Sequence, residues 1–457
     1  MGQGAARLSA GALKGLAASA LLGLVLSGLA APASAAPVKP AAVSVEASRQ
    51  ALFRKMMAAP SNVDLALQYA ELSAQMGDLE GAVSTLERLL IFAPHLARLN
   101  FELGVLYYKL GAFDAATGYF NAALASGDAT ADIKAQSADY IAAAARNTAA
   151  DVDSGNFMLG ARYQSNANGG AESGIVHLNG VEFDLNTAAM ADPDANAFAS
   201  FGGHLSHDLE NQGDRFDADI ALYAALYNKH FELNTAAGEA DFGPVFNLER
   251  FGLSHSRAQI YGVLGAISLK GDPYLYTAGL GAVAIHDFDA ATQGDVRLEY
   301  RYEDYVNSDY RPDVSDMTGE RTRASADLKR QLNDRVSLYG QVFGERKDAS
   351  AADRAYWQAG GLVGTTIAIN SPLPNAAGPW SLDLQAGIES RNYDAADPMI
   401  SSSARHDTEA FAQGALTVPL APSWSAVGTL GYRKVSSNYD LYSYDDVSTS
   451  LAIMKSF

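Results

Sequence analysis

The stretch that decides the fold is Val296-Arg-Leu-Glu-Tyr-Arg-Tyr-Glu303, in which apolar and charged residues alternate without a break. A period of two places successive side chains on opposite faces of a β-strand, so this segment predicts a strand with one apolar and one charged face. The same alternation runs through residues 216–226 and 380–389. Such segments are longer than most strands of soluble proteins and match the length of a tilted strand that crosses a membrane. The pattern therefore favours a transmembrane β-barrel.

Outward from this stretch, the alternation predicts an antiparallel outer-membrane β-barrel over residues 155–457. Its strands are expected to start near residues 156, 197, 215, 239, 257, 273, 294, 320, 335, 354, 379, 406, 424 and 445. Fourteen is an even number, as is usual for bacterial barrels. Long polar connections such as 165–196 alternate with short ones such as 332–335, but 268–272 and 371–378 break the rule. The count therefore stays open between 12 and 16 strands.

The last strand ends on Phe457, behind apolar residues at alternate positions that include Leu451 and Ile453. A terminal aromatic on such a strand resembles the signal by which the barrel-assembly machinery recognises bacterial outer-membrane proteins, although Lys455 interrupts the apolar row. Tyrosines near strand ends are expected to form a girdle in contact with outer-membrane lipid. These are Tyr227, Tyr274, Tyr302, Tyr305, Tyr432 and Tyr442.

The N-terminus predicts export. Arg7 and Lys14 precede an apolar run over 15–31, and Ala33-Ser-Ala35 matches a cleavage site, so residues 1–35 are predicted to be a signal peptide. A helical membrane anchor is the alternative, but the run is short and rich in alanine and glycine. Residues 36–44 are expected to be a linker. We expect an outer-membrane protein whose N-terminal domain lies in the periplasm.

Residues 45–150 are predicted to form a helical domain of tetratricopeptide repeats (TPR), because related residues recur every 34 positions. Gly77 and Gly111 are expected where helices end with a positive φ, and Gly104 and Ala116 where two helices approach closely. The signature residues are Gly77, Ala82, Pro94, Gly104, Tyr107, Gly111, Ala116 and Phe120. The groove of such a domain is expected to bind a periplasmic client protein. Leu72, Met76, Tyr107 and Tyr108 would line this groove or belong to the core.

Composition excludes several classes of function. The 457 residues include no cysteine, which excludes disulfides, a thiol nucleophile and Cys-ligated metals. A formal charge of −19 argues against nucleic acid as a partner.

Residues 192–196 begin like a calcium loop, but the glycine at position six and the acid at position twelve are missing. We predict no catalytic residue, no cofactor and no metal, and therefore no enzyme.

One charged cluster is expected to face the barrel lumen on two adjacent strands. Its members are Arg297, Glu299, Arg301, Glu303, Arg321, Arg323, Asp327 and Lys329. Antiparallel neighbours lie about 5 Å apart, so opposite charges there can pair. Two interpretations remain open: a ladder of salt bridges that stiffens the wall, and a charged pore lining or gate.

The segment Gly160-Ala-Arg-Tyr-Gln-Ser-Asn166-Ala-Asn168 resembles the end of the first barrel strand in the surface lipoprotein assembly modifiers. Over residues 45–457 the chain also resembles that family in architecture, a repeat domain followed by a fourteen-stranded barrel. The resemblance implies translocation of a surface lipoprotein or secreted protein that the repeats receive in the periplasm, and we expect a monomer. Exopolysaccharide exporters, which usually carry more repeats and a sixteen-stranded barrel, are the first alternative. A structural barrel that scaffolds another envelope protein is the second.

Overall fold

The structure, a computed structural model, describes residues 42–59, 62–147, 151–372 and 377–457. The predicted signal peptide lies outside these residues, as does most of the predicted linker. The chain divides into two compact units after Val152, and each is described by itself.

Six helices joined by short turns make up the N-terminal unit over residues 42–59 and 62–147. They are α1 (Ala42–Ala58), α2 (Val63–Gln75), α3 (Leu79–Leu90), α4 (Ala97–Lys109), α5 (Phe113–Ala125) and α6 (Ala131–Asn147). Side-chain oxygens of Asn62 and Asp78 cap α2 and α3 by accepting backbone N–H groups at 3.1 and 3.0 Å. Gly77 and Gly111 take φ angles of 88° and 76° after α2 and α4, where an L-residue would be strained. None of the described helices is both long and apolar enough to cross a membrane.

The TPR signature residues lie where the helices pack. Ala82, Gly104, Ala116 and Phe120 are all buried, and Pro94 lies in the turn between α3 and α4. The Phe120 ring fills the space beside Gly104 and stacks on Tyr140 of α6 at 5.0 Å between ring centroids. The absence of a side chain at Gly104 therefore sets the distance between α4 and α5.

Replacing Gly104 with alanine is expected to destabilise the helical unit by about 1–3 kcal/mol, the usual effect of overpacking. A Cβ at this position would lie 2.6 Å from the Phe120 ring. Urea unfolding of the full chain in detergent micelles, followed by circular dichroism at 222 nm, measures the change. Gly118→Ala on α5 is the matched control, because a Cβ there meets no atom within 4 Å. We expect the control to be unchanged or up to about 1 kcal/mol more stable; equal losses in both variants would contradict the packing argument.

The second unit contains a closed barrel and a small hairpin in its first long loop. The barrel strands are β1 (Asp151–Gln164), β4 (Asp194–Asn211), β5 (Asp214–Tyr227), β6 (Thr235–Asn247), β7 (Ser256–Leu269), β8 (Asp272–Asp289), β9 (Thr292–Tyr305), β10 (Gly319–Asn333), β11 (Val336–Lys347), β12 (Tyr356–Ile369), β13 (Trp380–Tyr393), β14 (His406–Ala421), β15 (Trp424–Ser437) and β16 (Tyr444–Ser456). The hairpin strands are β2 (Ile175–Leu178) and β3 (Val181–Asp184). The fourteen-stranded barrel predicted from the sequence is confirmed.

Each barrel strand pairs with the next along the chain, and β1 closes the barrel against β16, with Asn156 opposite Ser456 and Gln164 opposite Ser448. Both termini of the barrel therefore lie at one end, which we call the terminal end. The opposite end, which we call the loop end, carries the long connections 165–193, 306–318 and 394–405. Two connections depart from this pattern, as the sequence indicated. The tight turn at 270–271 lies at the loop end, and the long connection between β12 and β13 lies at the terminal end.

Alternation divides the barrel into an apolar outside and a polar inside. On β9 the outward side chains include Leu298, which is 58% exposed, and the inward ones include the buried Arg301. Tyr302 and Tyr432 point outward and are exposed, as a girdle requires. The girdle was wrongly extended to the other four tyrosines. Tyr227 faces inward and donates a hydrogen bond to Gln164, whereas Tyr274, Tyr305 and Tyr442 are buried at the loop end. Tyr227 and Tyr305 occupy inward positions of β5 and β9, whereas loop residues pack against Tyr274 and Tyr442.

Candidate functional site

A row of paired charges lines the lumen on β9, β10 and β11, in the half nearer the loop end. Arg321 places Nε 2.8 Å from Glu303 and Nη1 3.6 Å from Glu345. Arg323 lies 3.3 Å from Glu345, and Lys347 Nζ lies 2.9 Å from Glu303. The register explains the Arg323–Glu345 contact directly, because these two residues are opposite each other across β10 and β11. Arg321 is opposite Arg301 and Lys347, so it reaches Glu303 and Glu345 diagonally. Cross-strand neighbours of opposite charge stabilise a sheet.

A second set of bridges runs sideways across the wall from β9 to β6. Arg301 donates to Glu299 at 2.5 Å and, through both terminal nitrogens, to Glu239 on β6. Strands β7 and β8 lie between these partners, and their inward positions here are Gly265 and Gly279. A Cβ on Gly279 would lie 3.0 Å from Arg301 Cγ. The glycines therefore let the guanidinium lie flat against the wall and reach a carboxylate three strands away.

We call these side chains the charged wall. Its members are Glu239, Glu299, Arg301, Glu303, Arg321, Arg323, Glu345 and Lys347. Four carboxylates face four cations, and most of the eight are buried. Burying an ion pair is costly unless each charge is matched and hydrogen-bonded, and removal of one partner leaves an uncompensated charge. The arrangement therefore ties β6, β9, β10 and β11 together through their inward side chains.

Three of the predicted lumen residues stand outside the charged wall. Arg297 donates to the Tyr261 hydroxyl at 3.2 Å, and that hydroxyl donates in turn to Glu299 at 2.9 Å. Asp327 accepts a hydrogen bond from Gln341 at 2.7 Å. Lys329 is exposed and has no ion-pair partner among the described residues.

Three members of the charged wall were missed in the sequence. Glu345 and Lys347 occupy alternate positions on β11, so the period-two pattern of that strand held the signal. Glu239 carried no such signal, because its contact with Arg301 depends on glycines in two intervening strands.

Burial along β9 rises toward the loop end. Glu299, Arg301 and Glu303 are buried, whereas Gln293, near the terminal end, is exposed and Asp295 is half-buried. Charged side chains become inaccessible only where other atoms cover them. The inward charges of β9 are therefore accessible to water near the terminal end and are covered near the loop end, in part by one another.

Asp192 and Asp194, in the segment that begins like a calcium loop, connect the loop 165–193 to the loop 228–234. Asp194 is buried and accepts the backbone N–H groups of Lys229 and His230 at 2.8 and 2.9 Å. Asp192 lies 3.0 Å from Nε2 of His230. Among the residues that the structure describes, no group of three His, Asp or Glu side chains could hold a metal ion.

In the helical unit, Tyr107 takes part in helix packing. Its ring stacks on that of Tyr119 at 5.2 Å, and both hydroxyls donate to Glu87, at 2.6 and 3.2 Å. The hydrogen bond to Glu87 raises the pKa of Tyr107 to about 12. Tyr108 packs edge-on against Phe113 at 5.2 Å. Both tyrosines are therefore engaged with neighbouring helices, as the core interpretation expects.

A helical repeat unit followed by a closed fourteen-stranded barrel with an apolar outside defines an outer-membrane barrel protein with a TPR domain. Sequence models of known families agree: a tetratricopeptide repeat model matches residues 70–146, and the surface lipoprotein assembly modifier model matches residues 212–457. The second match covers more than half of the chain, so the protein belongs to the surface lipoprotein assembly modifier family. Neither matching family is an enzyme family. The family and the architecture fit a role in lipoprotein assembly at the outer membrane.

Several solved TPR proteins are similar to a part of the chain. MamA from strain AMB-1 is 26% identical over 23% of this chain and 59% of its own, with a TM-score of 0.21. A thermophilic TPR protein from Thermus thermophilus is 21% identical over 21% of this chain and 50% of its own, with a TM-score of 0.20. PcrH, solved with the chaperone-binding region of PopD, is 17% identical over 22% of this chain and 80% of its own, with a TM-score of 0.21. This chain thus spans only 50–59% of the first two proteins. A comparison with curated proteins gives no significant match.

Proposed function

We propose that the protein receives a surface lipoprotein or another secreted protein at its repeats and helps to deliver it across the outer membrane. The observation that carries this proposal is the polar lumen enclosed by an apolar exterior, in which the inward residues of β9 are most exposed near the terminal end. A barrel of this size is wider than the small ones that side chains fill and narrower than open porins. Such a lumen offers polar groups to a polypeptide in transit.

The terminal end and the N-terminal unit would face the periplasm, since the chain enters the barrel at that end. The same end would present Phe457 to the barrel-assembly machinery. Phe457 and Gly155 exchange two backbone hydrogen bonds of 3.0 Å, and the Phe457 ring stacks on Phe201 at 6.2 Å. A closed barrel leaves no free barrel strand edge, so the protein would act as a monomer. The charged wall would keep the loop end closed when no client is engaged.

Deletion of the gene tests the function directly. We expect one or more lipoproteins or secreted proteins to become resistant to protease added to intact cells, while their total amounts and the exported glycans are unchanged. Surface proteolysis with quantitative proteomics, together with sugar analysis of the medium, measures both. Complementation with the wild-type gene is the positive control.

Each alternative has its own signature in this experiment. Loss of an exported glycan with an unchanged set of surface proteins would overturn the proposal in favour of polysaccharide export. An unchanged surface and an unchanged glycan, with another envelope protein lost from the membrane, would point to a scaffold.

A further inference from the structure

The hairpin in the first long loop is held firmly along one edge. Its strands β2 and β3 are joined by Asn179-Gly180, whose φ angles of 51° and 78° belong to the turn type that favours this dipeptide. The backbone N–H of His177 donates to Asp440 at 2.9 Å, and that of Asn179 donates to the Ile400 carbonyl at 2.8 Å. Val176 is buried beneath the hairpin, against the loops 394–405 and 438–443. Strand β2 is therefore anchored to the rest of the loop end.

The other edge of the hairpin is open. All four residues of β3 are exposed, including the apolar Val181 at 56% and Phe183 at 43%. A two-residue turn makes Val181 and Phe183 the residues that bond to β2, so the backbone groups of Glu182 and Asp184 point the other way. Within the described residues these outward groups have no protein partner. The outward edge of β3 is thus a short row of free donors and acceptors.

Proteins usually protect such an edge by keeping it very short or by placing charged side chains, proline or a bulge on it, because an unpaired strand is a template for pairing with another chain. Residues 181–184 form a short edge without proline, and their two acidic side chains disfavour acidic partners and favour basic ones. We propose that the edge of β3 binds an extended, basic segment of another polypeptide as an added strand. Main-chain hydrogen bonds to Glu182 and Asp184 would hold it, and basic side chains would meet the two carboxylates. That this polypeptide is the delivered client rests on the proposed function.

Binding of a synthetic strand tests the inference. The probe is a fluorescent seven-residue peptide of alternating lysine and valine, titrated against the full chain in detergent micelles and followed by anisotropy. We expect Glu182→Pro to weaken binding about tenfold or more, because proline removes an outward N–H and fills the free edge with its ring. The β2 hydrogen bonds are kept, since Glu182 does not bond to β2. Glu182→Thr is the matched control: it loses the charge, keeps the N–H and favours a strand, so its loss should be clearly smaller.

Two further peptides make the result specific. A copy methylated on every backbone nitrogen has no N–H group left on either edge and cannot pair as a strand, and a copy with glutamate for lysine has the wrong charge, so neither should bind. Equal binding to Glu182→Pro and wild type, binding of the methylated copy, or no binding of the basic peptide would each overturn the inference. None of these outcomes affects the surface-proteolysis experiment, so failure of the edge and failure of the proposed function are distinguishable.

Discussion

Replacing Arg301 with methionine is expected to lower the free energy of unfolding of the barrel by about 3 kcal/mol, near the lower end of the range for a broken buried ion pair. The substitution leaves the carboxylates of Glu239 and Glu299 without their cation. The Glu299 side chain is only 10% exposed, so its unpaired charge is poorly solvated. The Glu239 side chain is 34% exposed, and water therefore offsets part of the loss there. Guanidinium unfolding in detergent micelles, followed by tryptophan fluorescence, measures the change.

Two further variants show whether the loss of stability in Arg301→Met comes from the unpaired carboxylates or from the change in side-chain volume. Lys329→Met removes an exposed lumen cation that has no ion-pair partner among the described residues, and we expect its stability to stay within about 0.5 kcal/mol of wild type. Arg301→Met combined with Glu239→Gln and Glu299→Gln removes the orphaned charges, and should recover part of the loss. If Arg301→Met were as stable as Lys329→Met, the charged wall would not stabilise the barrel.

A double variant addresses the two interpretations that the sequence left open. If the charged wall closes the loop end, Arg301→Met combined with Arg323→Met should raise ion conductance in a planar bilayer, because it removes the cation shared by Glu239 and Glu299 and one of the two cations beside Glu345. If the charged wall is a ladder that only stiffens the barrel, the double variant should be less stable than wild type and should have the same conductance. Unchanged conductance together with unchanged secretion would therefore exclude a gating role.

Local patterns were enough to predict most of the barrel. The predicted starts of the strands near 406 and 424 coincide with β14 and β15, and the strand count is confirmed. The reason is physical: every barrel strand has one face in lipid and one in the lumen, so the alternation of apolar and polar residues begins and ends with the strand. The TPR period works in the same way, because each repeat must place a small residue at the same close contact.

Features that depend on distant partners were not predictable. The pairing of Glu239 with Arg301 needs glycines on two strands between them, and no window of sequence contains all four residues. Tyr274 looks like an interfacial tyrosine from its position at a strand end, but residues of the loop 306–318 pack against it. The hairpin of β2 and β3 lay inside a predicted loop, since four-residue strands are too short to establish a period. Only its Asn179-Gly180 turn gave a local signal.

Replacing Leu298 with arginine is expected to destabilise the barrel in lipid by about 2–4 kcal/mol, the range for a cation near the middle of a bilayer. Leu298 points outward from the middle of β9 and is 58% exposed in the isolated chain. An exposed apolar belt of this kind would be unfavourable in water, so its surroundings should be hydrocarbon. Unfolding from lipid vesicles, compared with unfolding from detergent micelles, measures the membrane contribution.

The matched control is Gln341→Arg, which places the same side chain inside the lumen opposite Asp327. There the new cation meets a carboxylate and water, so we expect little loss of stability. The two substitutions add the same charge, on β9 and on β11, and differ mainly in the side of the barrel that receives the new side chain. Equal effects would mean that the outside of β9 does not face lipid, and the membrane-spanning assignment of this strand would be wrong.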